Sequence, residues 1–385
     1  MSCSASAKGY FSFLENISME LFMSLEECKQ YSHELQVFLE TPKWGDCRVV
    51  VMPDFFLDRI VDLPWQLAEF LGSVGEVIEH RGGSIDGIGQ MDQQGGNAIN
   101  TASALSRLGV LVTPIICTSQ YGLELIKYQF KDTTMDFSHV KTLGKASITT
   151  ALEFRGLDEK INVMLRDIGA LADFGPKDLD EKDYTLIEKA DYVGLFNWAG
   201  TKKHGTALAQ TVFERTKQGR GKTYYDTADP NPNTENIAEF MEKVLKTVRI
   251  DVLSLNENEA ITYAGMLETE FKDQKGQLCF ADYALEAARV LSRCFTARID
   301  LHTTTFSASL RGTQEVVVPT FKITPVRATG AGDAWNAGNI VADFNGLSDG
   351  SRLMLANAVS ACYLLCANGM HPTKAQVASF LKTIA

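Results

Sequence analysis

The chain has 385 residues, an ordinary apolar share of 45% and a net charge of −11 from 37 basic and 48 acidic residues. That length suits one large α/β domain with an appendage, or two domains. The acidic balance argues against a nucleic-acid or anionic-membrane surface, which needs clustered Lys and Arg, and no apolar run reaches the roughly 18 residues that span a bilayer. The eight cysteines show no CxxC pair and no metal-type spacing with the six histidines. Without a signal-peptide pattern at the N-terminus, a reduced cytoplasmic compartment is expected. Cys362 and Cys366, spaced i,i+4 in an apolar run, read as core packing.

From the N-terminus, residues 11–41 carry apolar positions at helical spacing: Phe13, Leu14, Ile17, Leu21, Phe22, Leu25, then Leu35, Phe38 and Leu39. Thr41-Pro42 ends the run. Residues 1–45 are therefore read as a helical extension for packing or assembly, set before a main domain of residues 46–385. Arg48–Met52 (RVVVM) is a short apolar strand of the buried parallel type. Beyond it helices and strands alternate: helix 98–108, strand 111–117, helix 185–189, strand 192–196, helix 205–217, strand 222–226, helix 237–247, strand 252–255. Such alternation predicts a doubly wound α/β sheet. Two segments break the rhythm, about 74–94 and 145–168, where polar and apolar residues alternate around glycine turns. They are expected to be half-exposed antiparallel strands forming a small lid over a cleft.

Four polar elements fall at strand ends or helix starts. Gln94-Gly95-Gly96-Asn97-Ala98-Ile99-Asn100 enters a helix; Asn97 is either an N-cap or, with Asn100, a donor to sugar hydroxyls. Asp226-Thr227-Ala228-Asp229-Pro230-Asn231 follows a strand and reads either as a carboxylate source or as a proline turn. In Asn256-Glu257-Asn258-Glu259, Asn256 and Glu259 share one helix face, with oxygens suited to magnesium or simply to a helix dipole. Arg327-Ala328-Thr329-Gly330-Ala331-Gly332-Asp333 leads into an apolar helix that stops at Asn345-Gly346. Free N–H groups at that helix start favour phosphate, and a carboxylate beside them can take a hydroxyl proton. Phosphoryl transfer to an alcohol follows as the expected chemistry. Trp198, after the strand at 192–196, suits either stacking on a sugar or base, or packing. His302 has no partner histidine at ligand spacing and reads as a hydrogen-bonded residue near a strand end.

The order GGNAINTA, DTADPN, NENE, GAGDAW, with lid strands between, resembles the ribokinase-like (PfkB-type) carbohydrate kinases over roughly residues 46–385. The resemblance implies a doubly wound, mostly parallel sheet flanked by helices, with a small β-strand lid. It implies Asp333 as the base and the backbone of Gly330, Ala331 and Gly332 as the anion hole. Gly95, Gly96, Asn100 and the early aspartate Asp58 would contact the acceptor. Arg166, on a lid strand, and Asn197, after the strand at 192–196, read either as further acceptor contacts or as packing and surface pairing. Asn256, Thr303, Gly330, Gly332 and Asn357 would face the nucleotide, and Glu259 with Asn256 would place Mg2+ through water. ATP is the expected donor, with ADP as the alternative. The chain departs from the family pattern in three places, one of them the Arg that many relatives carry after Asp-Pro-Asn, where Asn233 stands two residues past Asn231. Arg327-Ala328 stands where relatives carry Asp-Thr, so a monovalent-cation requirement is not expected; Arg327 either supplies a fixed charge near phosphate or pairs with a surface carboxylate. Leu301-His302-Thr303-Thr304-Thr305-Phe306-Ser307 replaces a glycine-bearing nucleotide loop. The resulting reading is a cytoplasmic sugar kinase, with a nucleoside kinase or a catalytically silent metabolite-binding regulator as alternatives. Its partners would be small molecules, and a homodimer through lid strands is one mode of assembly.

Overall fold

Short β-branched and aromatic runs form the sheet, because a strand covered on both faces has no solvent side to keep polar. The computed structural model describes residues 25–41, 46–155, 160–247, 250–272, 276–327 and 329–384. Its strands are β1 (Arg48–Met52), β2 (Phe56–Asp62), β3 (Gly89–Gly95), β4 (Leu111–Pro114), β5 (Cys117–Thr118), β6 (Lys141–Thr142) and β7 (Ser147–Arg155). They continue as β8 (Lys160–Asp167), β9 (Tyr192–Phe196), β10 (Lys222–Asp226), β11 (Val252–Leu255), β12 (Arg298–His302), β13 (Phe306–Arg311) and β14 (Gln314–Pro319). The main sheet runs β14-β13-β12-β11-β10-β9-β1-β4. It is parallel from β4 to β12, and β13 and β14 close it antiparallel.

Helices cover both faces. One core holds Leu208, Val212 and Phe213 of helix Gly205–Thr216, Tyr263 of Glu257–Leu267 and Leu291 of Phe280–Cys294. The other holds Ile99 of helix Asn97–Arg107, Ile340 of Ala331–Phe344 and Leu355 of Asp349–Leu364. Leu35, Phe38 and Leu39 of helix Leu25–Glu40 pack on that second core. The remainder of the helical extension expected upstream lies outside the described residues.

A second sheet, β3-β2-β7-β8, forms the lid. Here the expectation for residues 74–94 needs correction: 74–79 belong to a helix, Leu67–Glu79, and only Gly89–Gly95 is a strand. Leu67, Phe70, Leu71, Val74, Val77 and Ile78 recur at helical spacing, but only the C-terminal end of that period falls within residues 74–94, too short a stretch to show it. The lid also recruits β2, which continues almost directly from the first core strand. The segment 145–168 does supply a hairpin, β7 and β8, antiparallel from Ile148–Asp167 to Arg155–Lys160. Val61, Leu63 and Phe154 form the lid's small apolar centre, with Phe70 edge-on to Phe154 at 5.5 Å.

Polar groups, as well as apolar ones, seat helix Ala331–Phe344 on the sheet. Asn336 donates from Nδ2 to Asp226 at 2.6 Å and accepts from Tyr224 Oη at 2.8 Å and Ser254 Oγ at 2.7 Å. One turn on, Asn339 donates to Tyr224 Oη at 3.1 Å and to Asp300 at 2.9 Å. Asp300 also takes ion pairs from Arg298 and from the fully buried Arg352, both at 2.9 Å. Burial alone would raise the Asp300 carboxyl, but the two guanidinium charges outweigh it and hold its pKa down to about 2. Removing one partner of such a network leaves a buried charge uncompensated. Asp300→Asn is therefore expected to lower the unfolding free energy at neutral pH by about 3 kcal/mol, measured by urea titration. Because the folded-state pKa is depressed, the wild-type advantage is present above about pH 4 and is lost as the pH falls towards about 2. A difference that stayed constant across that window would show that the Asp300 charge is not what stabilises.

Candidate functional site

In an open α/β sheet the carboxyl ends of the strands leave a crevice for ligands. Here that crevice receives Asp226 from β10, Asn256 after β11, His302 from β12 and the N-termini of helices Asn97–Arg107 and Ala331–Phe344. Gly330 caps the second helix in the left-handed region, φ 82°, a conformation glycine adopts without a Cβ penalty. Asp333 lies in the helix's first turn and is buried. Its two carboxylate oxygens accept from Asn97 Nδ2 at 3.0 Å and Asn100 Nδ2 at 2.9 Å. The two amides stand on one face of their helix by i,i+3 spacing. Burial pushes the Asp333 carboxyl well above the usual carboxylate range, the negative charges of Asp226 and Asp54 push the same way, and the Asn100 and Asn97 amides oppose. Each oxygen keeps a lone-pair direction beyond its amide, so Asp333 is a high-affinity proton acceptor set in place by two neutral donors.

Asn97 is thus not the N-cap of its helix; Gly96 is, at φ 102°. A Cβ on Gly96 would lie 3.0 Å from the carbonyl oxygen of Asp54, so the glycine permits close contact with the β1–β2 link. Asp54 went unnoticed in the sequence, where nothing sets it apart from other post-strand aspartates. It is fully buried and receives the N–H groups of Asn97 and Ala98 at 3.0 and 2.8 Å and Asn197 Nδ2 at 2.8 Å. Asn197 Oδ1 in turn accepts from the Gly200 N–H at 2.9 Å. Both ends of the Asn197 amide are engaged inside the protein, which makes it a strut beneath the site.

Asp58 lies within lid strand β2, paired in register with Gln93 and Thr149, and Thr149 is paired with Arg166. Side chains in register share a face, which gathers Asp58, Thr149 and Arg166 in one row. Gly95 adjoins them: a Cβ there would fall within 1.9 Å of the Asp58 carboxylate. Burial raises the Asp58 pKa, while the Thr149 hydrogen bond and the Arg166 charge oppose. Asp58 Oδ1 is buried with no hydrogen-bond partner, a state a hydroxyl donor would relieve. Arg166 lies over the Phe56 ring at 5.0 Å.

Trp198 takes the packing alternative. It is buried, stacked on Phe240 at 4.4 Å, and its Nε1 donates to Thr206 Oγ1 at 3.2 Å. The apolar run of the helix beginning at Thr234 needed an aromatic partner, and spacing alone does not reveal that demand.

A cavity of about 1150 Å³ has Asp333 and Asn97 in its wall and is lined also by Asn256, Glu259, Thr303, Gly330, Gly332 and Asn357. Thr303 shapes the β12–β13 turn, its Oγ1 accepting from the N–H groups of Thr305 and Phe306 at 3.2 and 2.9 Å. Asn357 reaches the wall, yet its polar atoms are taken by Ser307 at 2.6 Å, Trp335 Nε1 at 2.9 Å and the Pro319 carbonyl at 3.2 Å. It shapes the wall instead of offering a free amide. The expectation of a hydrogen-bonded His302 also fails: its buried Nε2 has no partner. The ring packs against Trp335 at 5.0 Å and beside Gly332, and burial lowers its pKa to about 4, so it is neutral at pH 7.

Asn256 and Glu259 form a reciprocal cap: Asn256 Oδ1 accepts from the Glu259 N–H at 3.1 Å, and Glu259 accepts from the Asn256 N–H at 2.9 Å and its Nδ2 at 2.7 Å. Such a cap is worth about 1 kcal/mol. Burial, then the charges of Asp226, Asp229 and Glu257, drive the Glu259 carboxyl well above its usual value. Among the described residues neither Asp226 nor Glu259 has a lysine or arginine ion-pair partner. These hard oxygens with unneutralised charge fit a divalent cation such as Mg2+. No three carboxylate, histidine or cysteine side chains among the described residues converge to enclose one, so water and donor phosphates would complete its shell.

The prokaryotic ketohexokinase family model matches residues 66–384. No curated protein sequence matches the chain. Among solved structures, a ribokinase from Thermotoga maritima aligns with TM-score 0.64 at 17% identity, covering 88% of this chain and 99% of that one. Arabidopsis thaliana ribokinase complexed with ribose and ATP gives TM-score 0.64, 17% identity and coverages of 88% and 99%. Adenosine kinase from Sinorhizobium meliloti gives TM-score 0.66, 17% identity and coverages of 89% and 100%. These likenesses give the fold as ribokinase-like, an α/β sheet flanked by helices. The chain belongs to the prokaryotic ketohexokinase family, within the PfkB-type carbohydrate kinases.

Proposed function

We propose that the protein transfers the terminal phosphoryl group of a nucleotide, with ATP as the first donor to test, to a hydroxyl of a sugar, a ketohexose before others. The observation that carries this reading is the buried Asp333 carboxylate, gripped by Asn97 and Asn100 at the first turn of a glycine-capped helix. Asp333 takes the proton of the acceptor hydroxyl, the freed oxygen attacks phosphorus, and the bond to the leaving nucleotide diphosphate breaks. The N–H groups of Gly330, Ala331 and Gly332 face the oxygens of the transferring group, where backbone dipoles need no reorganisation as charge spreads. Asp226 and Glu259 would hold Mg2+, which when bound would neutralise charge on the phosphates. The lid row of Asp58, Thr149 and Arg166, with Trp198 committed to the core, favours a polar sugar over the flat base of a nucleoside.

A nucleotide-consumption screen over ketohexoses, other sugars and nucleosides, with ATP and ADP each as donor, tests the class. Tight binding of one metabolite without turnover on any acceptor would point instead to a binding-only regulator. Asp333→Asn is expected to lower kcat by at least ~10³-fold while acceptor affinity changes little; comparable turnover in the two proteins would remove Asp333 as base. The base must be ionised to act and its pKa is raised, so kcat/KM should fall on the acid side at a pH above the ordinary carboxylate range. Asn97→Leu and Asn100→Leu remove donors that favour the ionised form. In pH–rate profiles each should move that acid limb upward, and an unmoved limb would show that the amides do not set the base.

A further inference from the structure

The donor cavity contains a cation that no part of the proposed mechanism uses. Arg327 lines it together with Gly330, Ala331 and Gly332. Among the described residues no carboxylate pairs with Arg327, and its buried Nε has no hydrogen-bond partner. The surface-carboxylate role allowed by the sequence is therefore not the one seen.

The side chain is nonetheless held firmly. Its Nη1 donates to Tyr363 Oη at 2.8 Å, and the guanidinium lies 5.0 Å from that ring's centroid. Tyr363 is itself stacked with His371, 4.5 Å away and within 13° of parallel, whose Nδ1 is 2.9 Å from Ser103 Oγ. Burial, and then the charges of Arg327 and Arg107, lower the His371 pKa to about 3, so the imidazole adds no second positive charge at pH 7. Tyr363 also fixes where the guanidinium sits: its hydroxyl is 2.6 Å from the place a Cβ would take on Gly330. The aimed cation thus abuts the cap of the very helix whose first N–H groups face the cavity. A planar fork with open donors, beside a helix N-terminus, is suited to phosphate oxygens.

We infer that Arg327, aimed by Tyr363, grips the β-phosphate of the donor and stabilises the charge that collects there as the bond to the transferred group breaks. The electron pair of that P–O bond goes to the β-phosphate oxygen, where the guanidinium N–H groups can donate. Tyr363 is a positioning residue in this assignment. The inference rests on the kinase reading and deepens it. It also separates the two sets of charge in the cavity: Asp226 and Glu259 for a cation, Arg327 for the phosphate that cation neutralises only in part.

Calorimetric binding of ADP, AMP and inorganic pyrophosphate to the full chain and its variants tests it. Arg327→Gln should weaken ADP and pyrophosphate by about 10-fold or more while AMP changes less than about 2-fold. Arg327→Lys, which keeps charge but loses the fork, and Tyr363→Phe, which removes only the aiming hydroxyl, should fall between. Should Arg327→Gln fail to fold in a melting experiment, Tyr363→Phe carries the same ADP-against-AMP comparison. Equal losses for ADP and AMP, or full ADP and pyrophosphate affinity in Arg327→Gln, would overturn the assignment while leaving the kinase reading intact. Failure of the wild-type protein to bind any of these probes, together with no nucleotide consumption, would overturn both.

Discussion

The site rests on how one helix is fastened to one sheet. Apolar burial is non-directional and does not by itself set the rotation and register of helix Ala331–Phe344 on the strands. Directional hydrogen bonds do. Asn336 spans Asp226, Tyr224 and Ser254, and Asn339 spans Tyr224, Asp300 and Arg352. These bonds, satisfied at both ends, fix the helix in rotation and register. They thereby fix Asp333, one turn before Asn336, relative to the strand ends. The same network joins Asp226 in the site to the Asp300 ion pairs at the far end of the helix. Buried polar groups specify one arrangement because every alternative leaves some of them unpaired.

Negative charge then shapes the chemistry. Asp54, Asp333, Asp226 and Glu259 are all buried, and burial raises the proton affinity of each; the charges of Asp226 and Asp54 add to it at Asp333, that of Asp226 at Glu259 and that of Asp54 at Asp58 in the lid. The protein answers with different partners at different points. Neutral amides and N–H groups hold Asp54 and Asp333, and the cap of helix Glu257–Leu267 holds Glu259. Arg166 stands at the lid and Arg327 beside the glycine cap. An acidic chain that is to hold a polyphosphate must do so with local dipoles, a divalent cation and a few placed guanidinium groups, and this distribution meets that need.

Much of the framework was legible in the residues. β9, β10 and β11 take the bounds expected of them, because short runs rich in β-branched and aromatic residues stand out between helical segments. The lid was harder. Its strands are half exposed and their pattern is weak, and residues 74–79, expected as strand, are the last turns of helix Leu67–Glu79. Polar residues gave the most ambiguity. Asn97, Asn197 and Asn357 look alike in sequence, yet Asn97 holds the Asp333 carboxylate, Asn197 holds Asp54 and Asn357 closes against Trp335.

By itself, then, the sequence determined the alternating sheet, the glycine-capped helix bearing Asp333 and the acidic strand ends, since these depend on local spacing and on backbone freedom at a few glycines. Only the tertiary structure decided which partner each buried polar group meets. It set Asn97 and Asn100 on Asp333, sent Trp198 into the core, left a lone pair of Asp58 open and aimed Arg327 through Tyr363. Those outcomes turn on contacts between residues from 36 to 236 positions apart, where a hydrogen bond or a stack exists only once two separate elements have docked.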